Sequence, residues 1–149
     1  MITIKELMRR DLYTLSPQDT LQTARELMVN KHIRHVPILD ENENFVGLLT
    51  KHDVLSVSVS TLADIDKSER DELESGIPIS QVMTLDIVGA NEDTDLLEAA
   101  KYMLNQKHGC LPIFREKKLV GMLTEADFVR LAAHLLERLA EKEAEDSVE

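Results

Sequence analysis

An internal repeat constrains the fold of this chain more than any other feature. Displaced by 75 residues, positions 4–41 align without a gap on 79–116. Ile4 falls on Ile79, Met8 on Met83, Asp11 on Asp86, Leu21 on Leu96, Ala24 on Ala99, Met28 on Met103 and Pro37-Ile38 on Pro112-Ile113. A one-residue deletion in a turn changes the displacement to 74, and Val46-Gly47-x-Leu49-Thr50-x-x-Asp53 then falls on Val120-Gly121-x-Leu123-Thr124-x-x-Asp127. The 49 aligned pairs contain 15 identities, many at turn and helix-cap positions. Two copies of this length are too few for a solenoid. Each is about 50 residues, too small to bury a sufficient core alone, so the copies are expected to share one as a pseudo-twofold pair.

Both copies carry the same local pattern. A short helical start (Ile4 to Met8; Ile79 to Met83) leads to an expected strand at Leu12–Leu15 or Ile87–Ala90. An amphipathic helix follows, with Leu21, Ala24, Leu27 and Met28, or Leu96, Ala99, Ala100 and Met103, at helical spacing. Two apolar runs around a polar turn, His35–Leu39 with Phe45–Leu49 and Cys110–Phe114 with Leu119–Leu123, predict a hairpin. A second helix starts after Thr50 and after Thr124. The pattern predicts an α+β fold: two tandem β-α-β-β-α repeats and a C-terminal helix. Repeat one is assigned to residues 1–60, a charged linker helix to 61–78, repeat two to 79–133, and the end of the last helix with an acidic tail to 134–149. Asp66–Glu74 is expected on the surface, and the chain past Leu139 to fray. The stripe Phe128, Leu131, Ala132, Leu135, Leu136 and Leu139 is open to two readings, docking within the chain or a homodimer contact.

Composition narrows the function. The formal charge of −11 and an aromatic content of 3% argue against a phosphate-backbone partner, which rewards clustered Lys and Arg, and against an anionic membrane. No stretch approaches the roughly 18–20 apolar residues of a membrane span, and the charged N-terminal segment does not read as a signal peptide. A soluble, cytoplasmic protein is expected. One cysteine, Cys110, excludes an internal disulfide framework, and a small core thiol is its expected role. Phosphate loops, nucleophile elbows and paired-histidine zinc helices are absent, so neither an enzyme nor a metal site is expected.

What repeats with chemical potential is Gly-x-x-Thr-x-x-Asp at the strand-to-helix junction. Thr followed three residues later by Asp is a helix N-cap pattern. The same geometry also offers free N–H groups to a phosphate, and the Asp carboxylate can accept from a ribose diol. Lys31, His32, Arg34, His35 and Lys51 cluster in sequence around the first motif; Lys and His near a helix C-terminus also suit its dipole.

With these motifs, the matched Pro-Ile strands and the register of both copies, residues 1 to about 133 resemble a tandem pair of cystathionine-β-synthase (CBS) domains, a Bateman module. The short layout is similar to the acetoin-utilisation type of CBS protein. The resemblance implies a regulatory, non-catalytic module that needs no cofactor. It would bind AMP, ADP, ATP or S-adenosylmethionine in clefts between the repeats, form a homodimer and act on a protein target not yet identified. It assigns ligand contact to Thr50, Asp53, Thr124 and Asp127, and phosphate contact to Arg34 and His35, whose counterparts Gly109 and Cys110 carry no charge. Base pockets are expected from the opposite repeat: the 79–82 segment and His108 for the Asp53 site, the 4–7 segment and Ile33 for the Asp127 site. The Asp53 site is therefore expected to favour a phosphorylated ligand. A structural dimerisation module without a ligand is the alternative.

Overall fold

The computed structural model describes residues 2–61, 65–106 and 109–147. Repeat one contains α1 (Ile4–Leu7), α2 (Leu21–Lys31), the strands β1 (His35–Leu39) and β2 (Phe45–Thr50), and α3 (Lys51–Thr61). The linker forms α4 (Lys67–Glu74). Repeat two follows with a 3-10 turn (Ile79–Gln81), β3 (Ala90–Asn91), α5 (Leu96–Leu104), β4 (Cys110–Arg115), β5 (Lys118–Thr124) and α6 (Glu125–Ser147). The architecture is α+β with two small sheets.

Both hairpins form in the same register, with a bulge at the same place in each, after Ile38 and after Ile113. The first turn is held by Asp40, whose carboxylate accepts from the N–H groups of Asn42 and Asn44 at 2.9 Å. The second is a two-residue loop, Glu116-Lys117, with both residues at positive φ, the conformation that matches strand twist.

The expected strand before the first helix of each copy is shorter than the sequence suggested. In repeat two it is only β3, parallel to β4, and in repeat one it shrinks to a single parallel bridge between Leu15 and Ile38. A residue pair explains the difference. The Glu92 N–H donates to the Phe114 carbonyl at 3.0 Å and extends the ladder. Its counterpart is Pro17, which has no N–H to give.

The two copies share their cores by exchange. The segment leading into each repeat packs in the other repeat. Ile79 is fully buried with Leu21, Ala24, Met28, Val36, Ile38, Leu49 and Val54 of repeat one. Ile4 and Met8 are buried with Ala99, Met103, Leu111, Ile113 and Leu123 of repeat two. A third cluster, Leu48, Cys110 and Met122, forms the seam between the sheets. Backbone bonds fix the exchange: Arg9 pairs with Met122 across two hydrogen bonds of 2.9 and 3.0 Å, and Thr84 pairs with Leu48 across two of 2.8 and 3.0 Å. These bridges are pseudo-symmetry mates. They explain the glycine of each repeated motif. A Cβ on Gly121 would lie 2.5 Å from Met8 Sδ and 3.1 Å from the Arg9 carbonyl, and one on Gly47 would lie 2.8 Å from Met83 Sδ and 3.1 Å from the Thr84 carbonyl.

Two expectations about the exterior need correction. Helix α4 is not simply a surface helix: Glu74 at its end is fully buried and takes a bidentate ion pair from Arg25 at 2.7–3.0 Å. The acidic tail does not fray at Leu139. Helix α6 continues to Ser147, because the run contains no Gly or Pro and is rich in Ala, Glu, Leu and Lys, which are strong helix formers. Docking of its apolar stripe within the chain covers little beyond Phe128 and Leu131, and Leu135, Leu136 and Leu139 are exposed.

Candidate functional site

The two Thr-x-x-Asp segments sit where β2 turns into α3 and where β5 turns into α6. In the first, the Thr50 N–H donates to Asp53 Oδ2 at 2.9 Å and the Asp53 N–H donates to Thr50 Oγ at 3.0 Å. The reciprocal pair is a capping box. In the second, Asp127 Oδ2 accepts from the Thr124 N–H at 2.8 Å and from its hydroxyl at 3.2 Å. The first motif thus performs the full capping role that the sequence allowed, and the second only its carboxylate half.

The remaining contacts differ. Asp53 accepts from the hydroxyl of Thr84, at 3.2–3.3 Å, a residue of the opposite repeat's lead-in segment. Asp127 accepts instead from the Arg130 guanidinium, one helical turn on in its own helix. Asp127 is buried, 3% exposed, whereas Asp53 is partly exposed.

A cleft of about 1230 Å³ opens between the repeats, lined from both helix starts. Its volume slightly exceeds the usual range of small-molecule pockets. From repeat one, Ile33, Arg34, His35, Thr50 and Asp53 line it, together with His32, Lys51 and His52. From repeat two, Thr124 and Glu125 line it. The structure therefore brings together six of the residues that the resemblance places at ligand sites, Ile33, Arg34, His35, Thr50, Asp53 and Thr124, and with them His32 and Lys51 of the basic cluster. Asp127 lies beneath the cleft wall and is absent from its lining. His108 lies outside the described residues.

The lead-in segments do cross to the opposite repeat, but not with the residues expected to form base pockets. Ile4 and Ile79 are fully buried in the cores, and the lining comes from further along the first segment, at Arg9, Asp11, Leu12 and Tyr13. Sequence reasoning missed these four because the signal is topological: the Arg9–Met122 bridge carries the chain across the seam. Tyr13 is half-exposed, and its ring carries Lys31 Nζ at 5.5 Å from the centroid, within cation–π range. His32 ends α2 at positive φ (54°), turning the basic stretch toward the cleft.

Electrostatically the cleft is lopsided. Arg9, Arg34 and Lys51 put fixed positive charge in it, with His32, His35 and His52 alongside. The head of α6 instead presents Glu125 where the head of α3 has Lys51. Cys110 is buried at the seam, and desolvation pushes its thiol up to about 12, which makes it a poor nucleophile. Among the described residues no group of three or more His, Cys, Asp or Glu side chains could hold a metal ion. Nor is any described helix long and apolar enough to cross a membrane.

Comparison with known proteins then decides the family. The model of the CBS domain family matches residues 4–60 and again 79–134. The chain belongs to the CBS domain family. This CBS pair is 30% identical over 153 residues to CBSX1, a chloroplastic CBS domain-containing protein of Arabidopsis thaliana, covering 89% of this chain and 65% of CBSX1's length. Among solved structures, the CBS pair resembles AcuB of Vibrio cholerae, a protein named for acetoin utilization, with a TM-score of 0.76 and 35% identity over 95% of this chain and 97% of that one. It also resembles Arabidopsis CBSX2 in complex with AMP, with a TM-score of 0.74 and 27% identity over 91% and 98% of the two chains.

Proposed function

We propose that this CBS pair is a regulatory module that binds an adenosine-containing ligand in the cleft between its repeats and transmits occupancy to a protein target. The carrying observation is the Thr50–Asp53 cap at the head of α3, which opens onto a cleft lined by Arg9, Arg34 and Lys51. A helix N-terminus flanked by cations suits a phosphate, and the partly exposed Asp53 carboxylate suits a ribose diol. AMP in the CBSX2 structure supports the ligand class. In this reading Thr50, Arg34 and His35 face the phosphate and Asp53 the ribose, with Thr124 and Asp127 forming the pseudo-symmetric counterpart and Ile33 facing the base there. The module is non-catalytic and needs no cofactor. Residues 1–60 and 79–133 form its two halves. The exposed apolar face of α6 at Leu135, Leu136 and Leu139 supports a homodimer, and the lone buried thiol suits a reducing cytoplasm.

The ligand would act only through unequal affinity for two arrangements of the repeats. Thr84 couples the two naturally, since its hydroxyl bonds Asp53 while its backbone bridges to Leu48. Calorimetric titration of AMP, ADP and ATP tests the reading. Replacing Asp53 with Ala removes charge-assisted hydrogen bonds worth about 1.5–3 kcal/mol, so affinity should fall at least tenfold. Unchanged affinity in Asp53→Ala and in Asp127→Ala would reject the site.

One observation favours a second reading, a ligand-free scaffold: the Thr50–Asp53 cap is complete without a ligand, and the Asp127 carboxylate is engaged by Thr124 and Arg130. A panel of adenosine compounds that neither binds nor shifts the melting temperature would establish it.

A further inference from the structure

The two half-sites differ at one position in a way that bears on how many ligands the cleft holds. Three residues after the motif Asp, repeat two has Arg130 where repeat one has Ser56. The Arg130 guanidinium donates to Asp127 Oδ1, while Oδ2 is taken by the backbone and hydroxyl of Thr124. A carboxylate offers about four acceptor positions, and three at Asp127 are filled by Thr124 and Arg130, each three residues away. In repeat one the Ser56 hydroxyl turns away from Asp53 and donates to the His52 carbonyl at 2.9 Å. Asp53 is thus left with the Thr50 N–H and the long hydroxyl contact of Thr84.

We propose that Arg130 is a latch that closes the Asp127 half-site, so that the CBS pair takes one adenosine monophosphate per chain, at Asp53. The proposal rests on the reading of the cleft as an adenosine site and adds to it which half is open. The observations agree on the direction. Asp127 is buried and does not line the cleft, whereas Asp53 does. Arg130 is more than half exposed and holds Asp127 Oδ1 from one helical turn on, so that oxygen is already engaged before ribose hydroxyls could reach it. Those neutral hydroxyls would have to displace a charge-assisted bond, which is the stronger kind. Glu125 at the head of α6, in place of Lys51, repels a phosphate that the helix N-terminus would otherwise attract. Ligand specificity here is a matter of what is already bound, not of a missing motif.

Calorimetry with AMP on the full chain tests the latch. Wild type should bind one AMP per chain, and Asp53→Ala should weaken it at least tenfold. Arg130→Ser, which copies repeat one, should add a second site, lost again when Asp127→Ala is combined with it. The graft Ser56→Arg should weaken the Asp53 site at least tenfold. Arg130→Gln keeps a donor over Asp127 without the charge and should fall between wild type and Arg130→Ser; circular dichroism checks that each variant is folded. An unchanged stoichiometry and affinity in Arg130→Ser, with AMP binding still dependent on Asp53, would overturn the latch and leave the nucleotide reading standing. Weaker AMP binding in Arg130→Ser would overturn it too, making Arg130 a ligand contact. No AMP binding in any variant would overturn both the latch and the reading beneath it.

Discussion

The two lead-in segments do the same job with different fastenings. Each crosses to the other repeat, buries an isoleucine in its core and passes a methionine over a motif glycine. The second segment is the better anchored. The Leu21 N–H donates to the Ile77 carbonyl, and the Ile79 and Ser80 N–H groups donate to the Asp19 and Pro17 carbonyls. The buried Glu74–Arg25 pair holds the linker just ahead of it. The first segment has the Arg9–Met122 bridge and the partly exposed Lys5, which lies 4.0 Å from Glu92 and 3.5 Å from Asp93. Exchange makes each half depend on the other, while the uneven fastening makes the first segment the one more easily released.

The most damaging way to break this symmetry is to remove the isoleucines. Ile4→Ala and Ile79→Ala each delete three carbons from a fully buried site and should each cost about 3–4 kcal/mol in urea unfolding. Near-equal losses would establish that both cores are completed by exchange. A loss under about 1 kcal/mol for Ile4→Ala, far below the usual penalty for truncating a buried aliphatic side chain, would mean that the first segment detaches before the core opens.

Next in size is the ion pair ahead of the second segment. Glu74→Ala leaves the Arg25 guanidinium, 17% exposed, without that carboxylate. Breaking a buried pair by removing one partner costs roughly 3–5 kcal/mol, and the partial exposure of Arg25 puts the expected loss at the low end, about 3 kcal/mol. The same unfolding curves measure it. A negligible loss would show that the backbone bonds from Leu21, Ile79 and Ser80 hold the segment unaided.

The repeat, the hairpins, both motif positions and the family were legible in the sequence because each is carried by local periodicity, turn residues and identities in register. Exchange was not, because nothing local distinguishes Ile4 packing on its own repeat from Ile4 packing on the other. The glycines of the motif held the clue: Gly47 and Gly121 stand where a Cβ would strike a crossing methionine, but a glycine before a helix start has several ordinary explanations. Arg9, Asp11, Leu12 and Tyr13 were missed as cleft residues for the same reason. Glu74 reads as surface because its neighbours are charged, yet Arg25, which it meets 49 residues away, has a small apolar counterpart in Ala100 and so breaks the repeat pattern without attracting notice. Arg130 differs in being local. Its spacing from Asp127 was visible, and only the structure showed the carboxylate already engaged.

The smallest effect belongs to the ion pair of repeat two, and it is separable from the others by pH. Glu92 is nearly covered, and Arg115 donates to its two oxygens at 2.5 and 2.9 Å. The guanidinium bonds hold the Glu92 carboxyl below its ordinary value of 4.5, against desolvation, with Lys5 and Arg10 adding to the effect. A carboxyl lowered in the folded state contributes stability that is present above pH 4.5 and is lost as the pH falls through the lower folded value. Arg115 is more than half exposed, so water and salt screen the pair and its contribution is small. Melting temperature measured from about pH 7 down to about pH 3 should therefore fall less steeply in Glu92→Gln than in wild type, the two curves converging at the acid end. Asp40 is also lowered, from an ordinary value of 3.8, by its turn bonds, and its own loss at the acid end leaves part of the slope in the variant. Parallel curves would mean that Glu92 is held by packing alone. Because Lys5 reaches the same carboxylate, a flattened slope that Lys5→Met reproduces in part would show that this pair also fastens the first lead-in segment to repeat two.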